Sequence, residues 1–175
     1  MPRTMPAPRL PALVTRDRDH EDGRSKDMRA GFTIDLWLRP GALERPVRLF
    51  DSMDPSGRGI CVTAEADGSV RLLMSDGKTQ CAWASDWGLL QTDRTSHVVA
   101  IVDGGPKIIM FVVDGVLCDG GEQRQFGWGR YSPRLTGVAG RANIVVDAAV
   151  AGLRIYNRAL RISEAVGNFH AGAGQ

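Results

Sequence analysis

The chain has 175 residues, 43% hydrophobic and 24% charged, which suits one globular domain with a full core. Its 22 basic and 20 acidic side chains nearly balance, and no run of Lys and Arg predicts a nucleic-acid-binding surface. No apolar stretch reaches the roughly 18 residues of a membrane span, and the first residues lack the apolar segment of a signal peptide. We therefore expect either a cytoplasmic protein or an extracellular module of a larger secreted protein.

Residues 1–30 are rich in proline and charge. Such a composition predicts a poorly ordered tail or an edge segment, with at most one short strand near residues 13–15. We expect the folded domain to span residues 31–170, followed by a flexible tail over residues 171–175.

From residue 32 the side chains alternate with a period of two, which is typical of a half-buried strand. In FTIDLWLRP, the apolar face runs from Phe32 to Leu38, and Trp37 falls on the opposite face. The segment 107–115, KIIMFVVDG, is apolar at almost every position, which predicts a central strand covered on both faces. The other predicted strands lie within residues 47–53, 59–68, 69–77, 97–105, 143–152 and 152–160.

Asp-Gly dipeptides occur six times, and four of them follow or separate these strands. Asp-Gly tolerates the positive φ angles of a type I′ turn, so the pattern indicates tight hairpins. Short strands with such turns at about ten-residue spacing predict an all-β, antiparallel β-sandwich or barrel. The one helix we expect begins after Ser163, which is a suitable N-cap for SEAVGNF.

Three segments in succession resemble laminin-G-like domains of the concanavalin A-like lectin and glucanase superfamily. They are FTIDLWLRP, HVVAIVDGGPKIIMFVVDGVLCDGG and GLRIYNRALRISEAV, and together the resemblance covers roughly residues 31–169. It implies a concanavalin A-like jelly roll in which Trp37 packs against the second sheet. Such domains also carry an earlier strand, which is here either missing or rebuilt from LPALVTRD.

The resemblance extends to function through FGWGR, which is similar to a stretch in carbohydrate-binding modules of bacterial polysaccharide-degrading enzymes, fructan-binding ones included. It implies a non-catalytic module that binds an oligo- or polysaccharide. Laminin-G-like domains often bind one Ca²⁺, so a structural calcium ion stays open. Five aspartates in predicted loops are candidate ligands, although most are expected to form turns: Asp51, Asp54, Asp86, Asp103 and Asp119.

Residues 122–131 are not explained by turn chemistry, because they combine aromatic rings, polar donors and glycines. A sugar site needs an aromatic ring for the apolar face of the sugar and charged or amide groups for its hydroxyls. The segment WASDW adds a second rim, which we place in a loop. The predicted ligand-binding residues are Asp119, Glu122, Arg124, Trp128 and Arg130, with Trp83, Asp86 and Trp87 as the second rim.

The sequence does not favour catalysis. The superfamily's glucanases carry E-x-D-x-x-E on one strand, whereas Glu65 and Asp67 here have no third acid. His97, at the start of a predicted strand, is expected to be structural. A glycosidase would require two carboxyl groups about 5–10 Å apart in a cleft. The remaining alternative is a structural or protein-interaction module, which predicts that Trp83, Trp87 and Trp128 are buried.

Three cysteines, Cys61, Cys81 and Cys118, are too few and too widely spaced for a zinc site. We expect small buried thiols. A single disulfide such as Cys61–Cys81 stays open for an exported protein.

Overall fold

The computed structural model describes residues 1–8, 10, 13 and 31–172 of the chain. Its elements, in chain order, are β1 (Arg3–Pro6), β2 (Gly31–Leu38), β3 (Val47–Asp51), β4 (Arg58–Ala64), β5 (Val70–Asp76), β6 (Gln80–Ala84), β7 (Ser96–Asp103), β8 (Ile108–Val113), β9 (Val116–Leu117), β10 (Gly129–Arg130), β11 (Asn143–Val146), β12 (Val150–Tyr156) and α1 (Ile162–Ala171).

The strands form two antiparallel sheets that pack as a sandwich, which confirms the predicted concanavalin A-like fold class. Sheet A has the order β1-β11-β3-β4-β5-β6, and sheet B has the order β10-β8-β7-β2-β12, with β9 also paired to β8. The short strands β6, β9 and β10 were not predicted, because their few residues show no clear alternation. Edge strand β6 of sheet A and edge strand β10 of sheet B lie on the same side of the sandwich, since Trp83 of β6 contacts Gly129 of β10.

The alternation predicted for β2 is confirmed. Phe32, Ile34, Leu36 and Leu38 are almost completely buried in the core between the sheets. Burying side chains of this size stabilises the fold by about 1.5–3 kcal/mol each. The core therefore begins with the alternation that the sequence shows.

Trp37 does not pack against the second sheet, so that prediction was wrong. Its ring lies on the outer face of sheet B, 4.6 Å from the ring centroid of His97 and 6.0 Å from that of Phe169 in α1. Helix α1 covers this outer face, and Val99 and Val112 pack there against Ala165. The cover explains why β8 is apolar on both faces, as predicted.

His97 has the structural role that was predicted. Its Nε2 lies 2.9 Å from Oδ1 of Asp35, and both side chains are fully buried. Asn168 of α1 donates to the other oxygen of Asp35 across 2.7 Å and to the Tyr156 hydroxyl across 3.0 Å. The network ties α1 to sheet B and satisfies a carboxylate that would otherwise be costly to bury.

Helix α1 begins two residues earlier than predicted, since Arg161 and not Ser163 is the N-cap. The carboxylate of Glu164 accepts a hydrogen bond from the backbone N–H of Arg161 across 2.8 Å. Glu164 also forms paired hydrogen bonds of 2.8 and 2.7 Å with the guanidinium of Arg158. An acidic side chain in the first helical turn replaces the predicted hydroxyl cap.

Among the hairpins, only the Asp114-Gly115 turn has positive φ at both central residues, 49° and 79°, within the described part of the chain. It therefore has the predicted type I′ geometry. In the N-terminal segment an edge strand forms at Arg3–Pro6. Leu13 is buried and its N–H donates to the carbonyl of Thr136, whereas residues 14 and 15 lie outside the described residues.

All three cysteines are free thiols, so the disulfide alternative was wrong. Cys61 pairs with Leu73 of β5, and Cys81 pairs with Met74 of the same strand, so β5 lies between them. Burial raises the pKa of Cys61 and that of Cys118 to about 11, which keeps both thiols protonated at neutral pH. No helix in the described part of the chain has the length and hydropathy to cross a membrane.

Candidate functional site

The predicted site residues lie at the side of the sandwich where the edge strands β6 and β10 meet. They surround the end of β6 and the loop over residues 118–128 that joins β9 to β10. The structure brings Asp86, Asp119 and Arg124 together directly, with Trp83 beneath them. Trp128 and Arg130 form a separate exposed group on the other side of the same chain segment. The two groups have different roles.

Trp83 lies on strand β6 and not in a loop, which corrects the sequence-based placement. It pairs with the core residue Leu72, so its side chain points between the sheets. Its Nε1 donates to the carbonyl of Gly127 across 3.1 Å. A Cβ on Gly129 would overlap the indole ring, so only glycine lets β10 approach this closely. Trp83 therefore closes the side of the sandwich and supports the 118–128 loop.

Asp86 anchors the same loop. Its carboxylate accepts hydrogen bonds from the backbone N–H groups of Asp119 and Gly120, each at 3.1 Å, and from Arg124 at 2.8 Å. Arg124 also donates to the carbonyl of Ala84 across 2.8 Å. Its guanidinium carbon lies 4.7 Å from the centroid of the Trp83 ring, a cation–π distance. Much of the hydrogen-bonding capacity of Asp86 and Arg124 is thus used inside the loop.

The segment 126–130 carries a row of exposed side chains that we call the Trp128 row: Phe126, Trp128 and Arg130. The glycines between them, Gly127 and Gly129, are buried. The rings of Phe126 and Trp128 are stacked at 5.1 Å, and the Arg130 guanidinium lies 5.6 Å from the Trp128 ring. Phe126 is 48% exposed and Trp128 is 37% exposed.

Phe126 was missed by the sequence analysis, although the alternation in FGWGR already carries the signal. Large side chains separated by single glycines predict an extended segment with all its bulk on one face. Exposed, stacked aromatic side chains beside an arginine are suited to binding a ligand with both apolar and polar faces.

Two predicted residues lie outside both groups. Glu122 is exposed in the 118–128 loop, and Trp87 is 56% exposed in the turn after β6. Trp87 makes no ring contact with another aromatic side chain in the described residues. The structure therefore does not join Trp87 to the Trp128 row.

A groove of about 500 Å³ lies on the outer face of sheet B, beside the start of α1. Asp103 and Glu164 both line it. The hydrogen bonds from Arg158, and then that from the Arg161 backbone, lower the pKa of Glu164 to about 2. A general acid needs a pKa near the working pH, so Glu164 is not suited to donate a proton there.

No group of three or more His, Cys, Asp or Glu side chains that could hold a metal ion occurs among the described residues. Asp51, Asp54, Asp103 and Asp119 each accept a backbone N–H two residues further along, as turn-forming aspartates do. These four hydrogen bonds match the turn-forming role expected for most of the aspartates.

Comparison with known proteins identifies the fold. A family model described as the concanavalin A-like lectin/glucanases superfamily matches residues 19–165. No curated protein matches the chain in sequence. The CBM40 of the Ruminococcus gnavus IT-sialidase, solved with α2,3-sialyllactose bound, is similar with a TM-score of 0.59 and 12% identity over 94% of this chain and 96% of that one.

The binding domain of botulinum neurotoxin DC, in complex with rat synaptotagmin II, has a TM-score of 0.62 and 10% identity, covering 98% of this chain and 46% of that one. The binding domain of serotype D has a TM-score of 0.61 and 10% identity, covering 81% and 37%. The chain thus spans less than half the length of these toxin domains. At such identities the solved structures show a shared fold alone. The family match over most of the length shows that the chain belongs to the concanavalin A-like lectin/glucanases superfamily.

Proposed function

We propose that this chain is a non-catalytic, lectin-like module that binds an oligo- or polysaccharide through the Trp128 row. One observation carries the proposal: Trp128 is partly exposed and is flanked by Phe126 and Arg130 on one extended segment. The structural alternative predicted buried tryptophans, yet Trp128 is 37% exposed and Trp87 is 56% exposed. An exposed aromatic side chain beside an arginine was the arrangement expected of a sugar site.

The chemistry of the row fits a saccharide. Aromatic surface stacks on the C–H face of a sugar ring, and the guanidinium of Arg130 donates hydrogen bonds to ring hydroxyls. Glu122 lies outside the Trp128 row but is exposed on the 118–128 loop, and its carboxylate is the acceptor that we propose for a sugar hydroxyl. Trp83, Asp86 and Arg124 act as positioning residues, because their contacts hold the loop in place.

The fold neighbours support a binding role. The CBM40 of the sialidase is by its name a carbohydrate-binding module, and it was solved with a bound saccharide. By analogy, we propose that this chain is an accessory module of a polysaccharide-active enzyme that acts outside the cell. The low pKa of Glu164 argues against a general-acid role for this carboxylate, which supports a non-catalytic module.

The test is a binding screen of the purified chain against α2,3-sialyllactose, fructans and plant β-glycans, with Ca²⁺ and again with chelator. We expect a dissociation constant in the micromolar to millimolar range for at least one saccharide. Trp128→Ala should weaken that binding about tenfold or more, on the scale of a lost central aromatic contact.

Val116→Ala is the matched control, because Val116 is an exposed apolar side chain on the neighbouring β9. It should leave affinity unchanged. A well-folded chain that binds none of the saccharides in either condition would favour the structural or protein-interaction alternative instead.

A further inference from the structure

The groove on the outer face of sheet B is lined by both apolar and polar side chains. Met110 of β8 and Ile162 of α1 contribute apolar surface, and Ile162 is 37% exposed. Arg158, Ser163 and Glu164 contribute polar groups along the start of the helix. With a volume of about 500 Å³, the groove is in the size range of small-molecule sites.

Strand pairing brings this groove next to the Trp128 row. Strands β10 and β8 are antiparallel, and Gly129 pairs with Ile109. In the same register, Trp128 lies opposite Met110. Gly129 and Ile109 face the interior, and the neighbouring residues therefore face outward. Adjacent strands are about 4.7–4.9 Å apart, so Met110 borders both Trp128 and the groove.

The polar groups of the groove are arranged for hydroxyl ligands. Two arginines and two acidic side chains line it, Arg158, Arg161, Asp103 and Glu164, so its charges balance. Arg158 and Glu164 hold each other in a fixed geometry. Ser163, in the first turn of α1, is exposed and offers a hydroxyl group that can both donate and accept a hydrogen bond. A neutral ring that bears hydroxyl groups matches such a mixture of donors and acceptors.

We propose that the groove is a second saccharide subsite, continuous with the Trp128 row across Met110. It takes a neutral sugar unit, so the ligand is a chain that crosses β10 and β8 rather than a single terminal sugar. This inference rests on the proposed carbohydrate-binding function. It assigns Ser163 and Ile162 to the binding surface.

The experiment measures affinity by calorimetry for two neutral series, cello-oligosaccharides and inulin-type fructo-oligosaccharides, each as the disaccharide and as a longer member. In at least one series the longer member should bind roughly tenfold more tightly than the disaccharide, as expected when a second favourable contact region is added. Ser163→Trp fills the groove and should remove that gain with chain length.

Thr95→Trp is the matched control, since Thr95 is exposed and precedes β7 at the end opposite to Asp103. It should keep the full gain with chain length. Ile162→Ser, which removes exposed apolar surface without adding bulk, should reduce the gain several-fold and serves as the second variant if Ser163→Trp does not fold.

The outcomes separate the two proposals. Affinity that does not depend on chain length, or a gain that both groove variants keep, overturns the second subsite, while weakened binding in Trp128→Ala still supports the carbohydrate-binding function. Binding of α2,3-sialyllactose without binding of either neutral series overturns the second subsite alone. If no saccharide binds, both proposals fail.

Discussion

Arg124 and Asp86 are joined by a 2.8 Å hydrogen bond that ties the 118–128 loop to the end of β6. Arg124→Ala removes this bond, the bond to the Ala84 carbonyl and the contact with the Trp83 ring. We expect it to lower the free energy of unfolding by about 1–3 kcal/mol, because a partly buried carboxylate loses its charged partner. Denaturant unfolding measures the change.

The control for this variant is Arg134→Ala, an exposed arginine between β10 and β11. It should change stability by less than about 0.5 kcal/mol. Equal effects of the two substitutions would contradict the anchoring role of Arg124.

Gly129→Ala tests the close approach of β10 to Trp83. The added Cβ would overlap the indole ring, so either the strand or the ring must move. Overpacking of this kind lowers the free energy of unfolding by about 1–3 kcal/mol. It should also displace the adjacent Trp128. Thermal unfolding and tryptophan fluorescence report the two effects.

Gly137→Ala is the matched control, because a Cβ at Gly137 meets no atom within 4 Å. Its effect on stability should stay within about 0.5 kcal/mol. A Gly129→Ala protein as stable as the control would mean that the tight packing on Trp83 is absent in solution.

The Arg158–Glu164 pair predicts a dependence of stability on pH. The pKa of Glu164 is lowered to about 2 in the folded state, whereas an unfolded Glu titrates near 4.3. The stabilisation is therefore present above about pH 5 and is lost as the pH falls towards about 2. Since both side chains are more than one-third exposed, we expect only about 0.5–1 kcal/mol.

Urea unfolding of the wild type and of Glu164→Gln across this pH range measures the pair. The difference in unfolding free energy should be largest at neutral pH and vanish near pH 2. Glu44→Gln, at an exposed position, serves as the control. A difference that stays constant over the whole range would rule out the lowered pKa.

The three thiols should differ in reactivity. Burial raises the pKa of Cys61 and Cys118 to about 11, and it also raises the pKa of Cys81, which is only half-buried. Because the thiolate is the reactive form and must be accessible, we expect iodoacetamide to modify Cys81 first and the other two only after unfolding. Peptide mass spectrometry at increasing reaction times shows the order. Recovery of a Cys61–Cys81 cross-linked peptide from unreduced protein would contradict the three free thiols.

The sequence by itself determined the sandwich. Alternation from Phe32 to Leu38 depends only on which side chains share a face of one strand, so it predicted both β2 and its contribution to the core. Asp114-Gly115 likewise specified its turn locally, through the φ angles that the two residues tolerate. The family resemblance identified the succession of strands as a concanavalin A-like domain, and the family match agrees with that assignment.

The sequence also selected the right region for a site, because glycines and aromatic side chains in residues 122–131 exceed what a turn requires. It could not tell which of the predicted site residues support the loop and which form exposed surface. Trp83 and Trp128 are the same residue type in similar local surroundings, yet one is packed beneath β10 and the other is partly open to solvent.

Only the tertiary structure decided the partners of the polar face of β2 and of the 118–128 loop. Trp37 lies against α1, more than a hundred residues away in the chain, and the short strand β6 is held by its pairing with β5 rather than by its own pattern. Burial of such residues depends on elements distant in sequence. Local periodicity can show that a residue has a face, but it cannot show what covers that face.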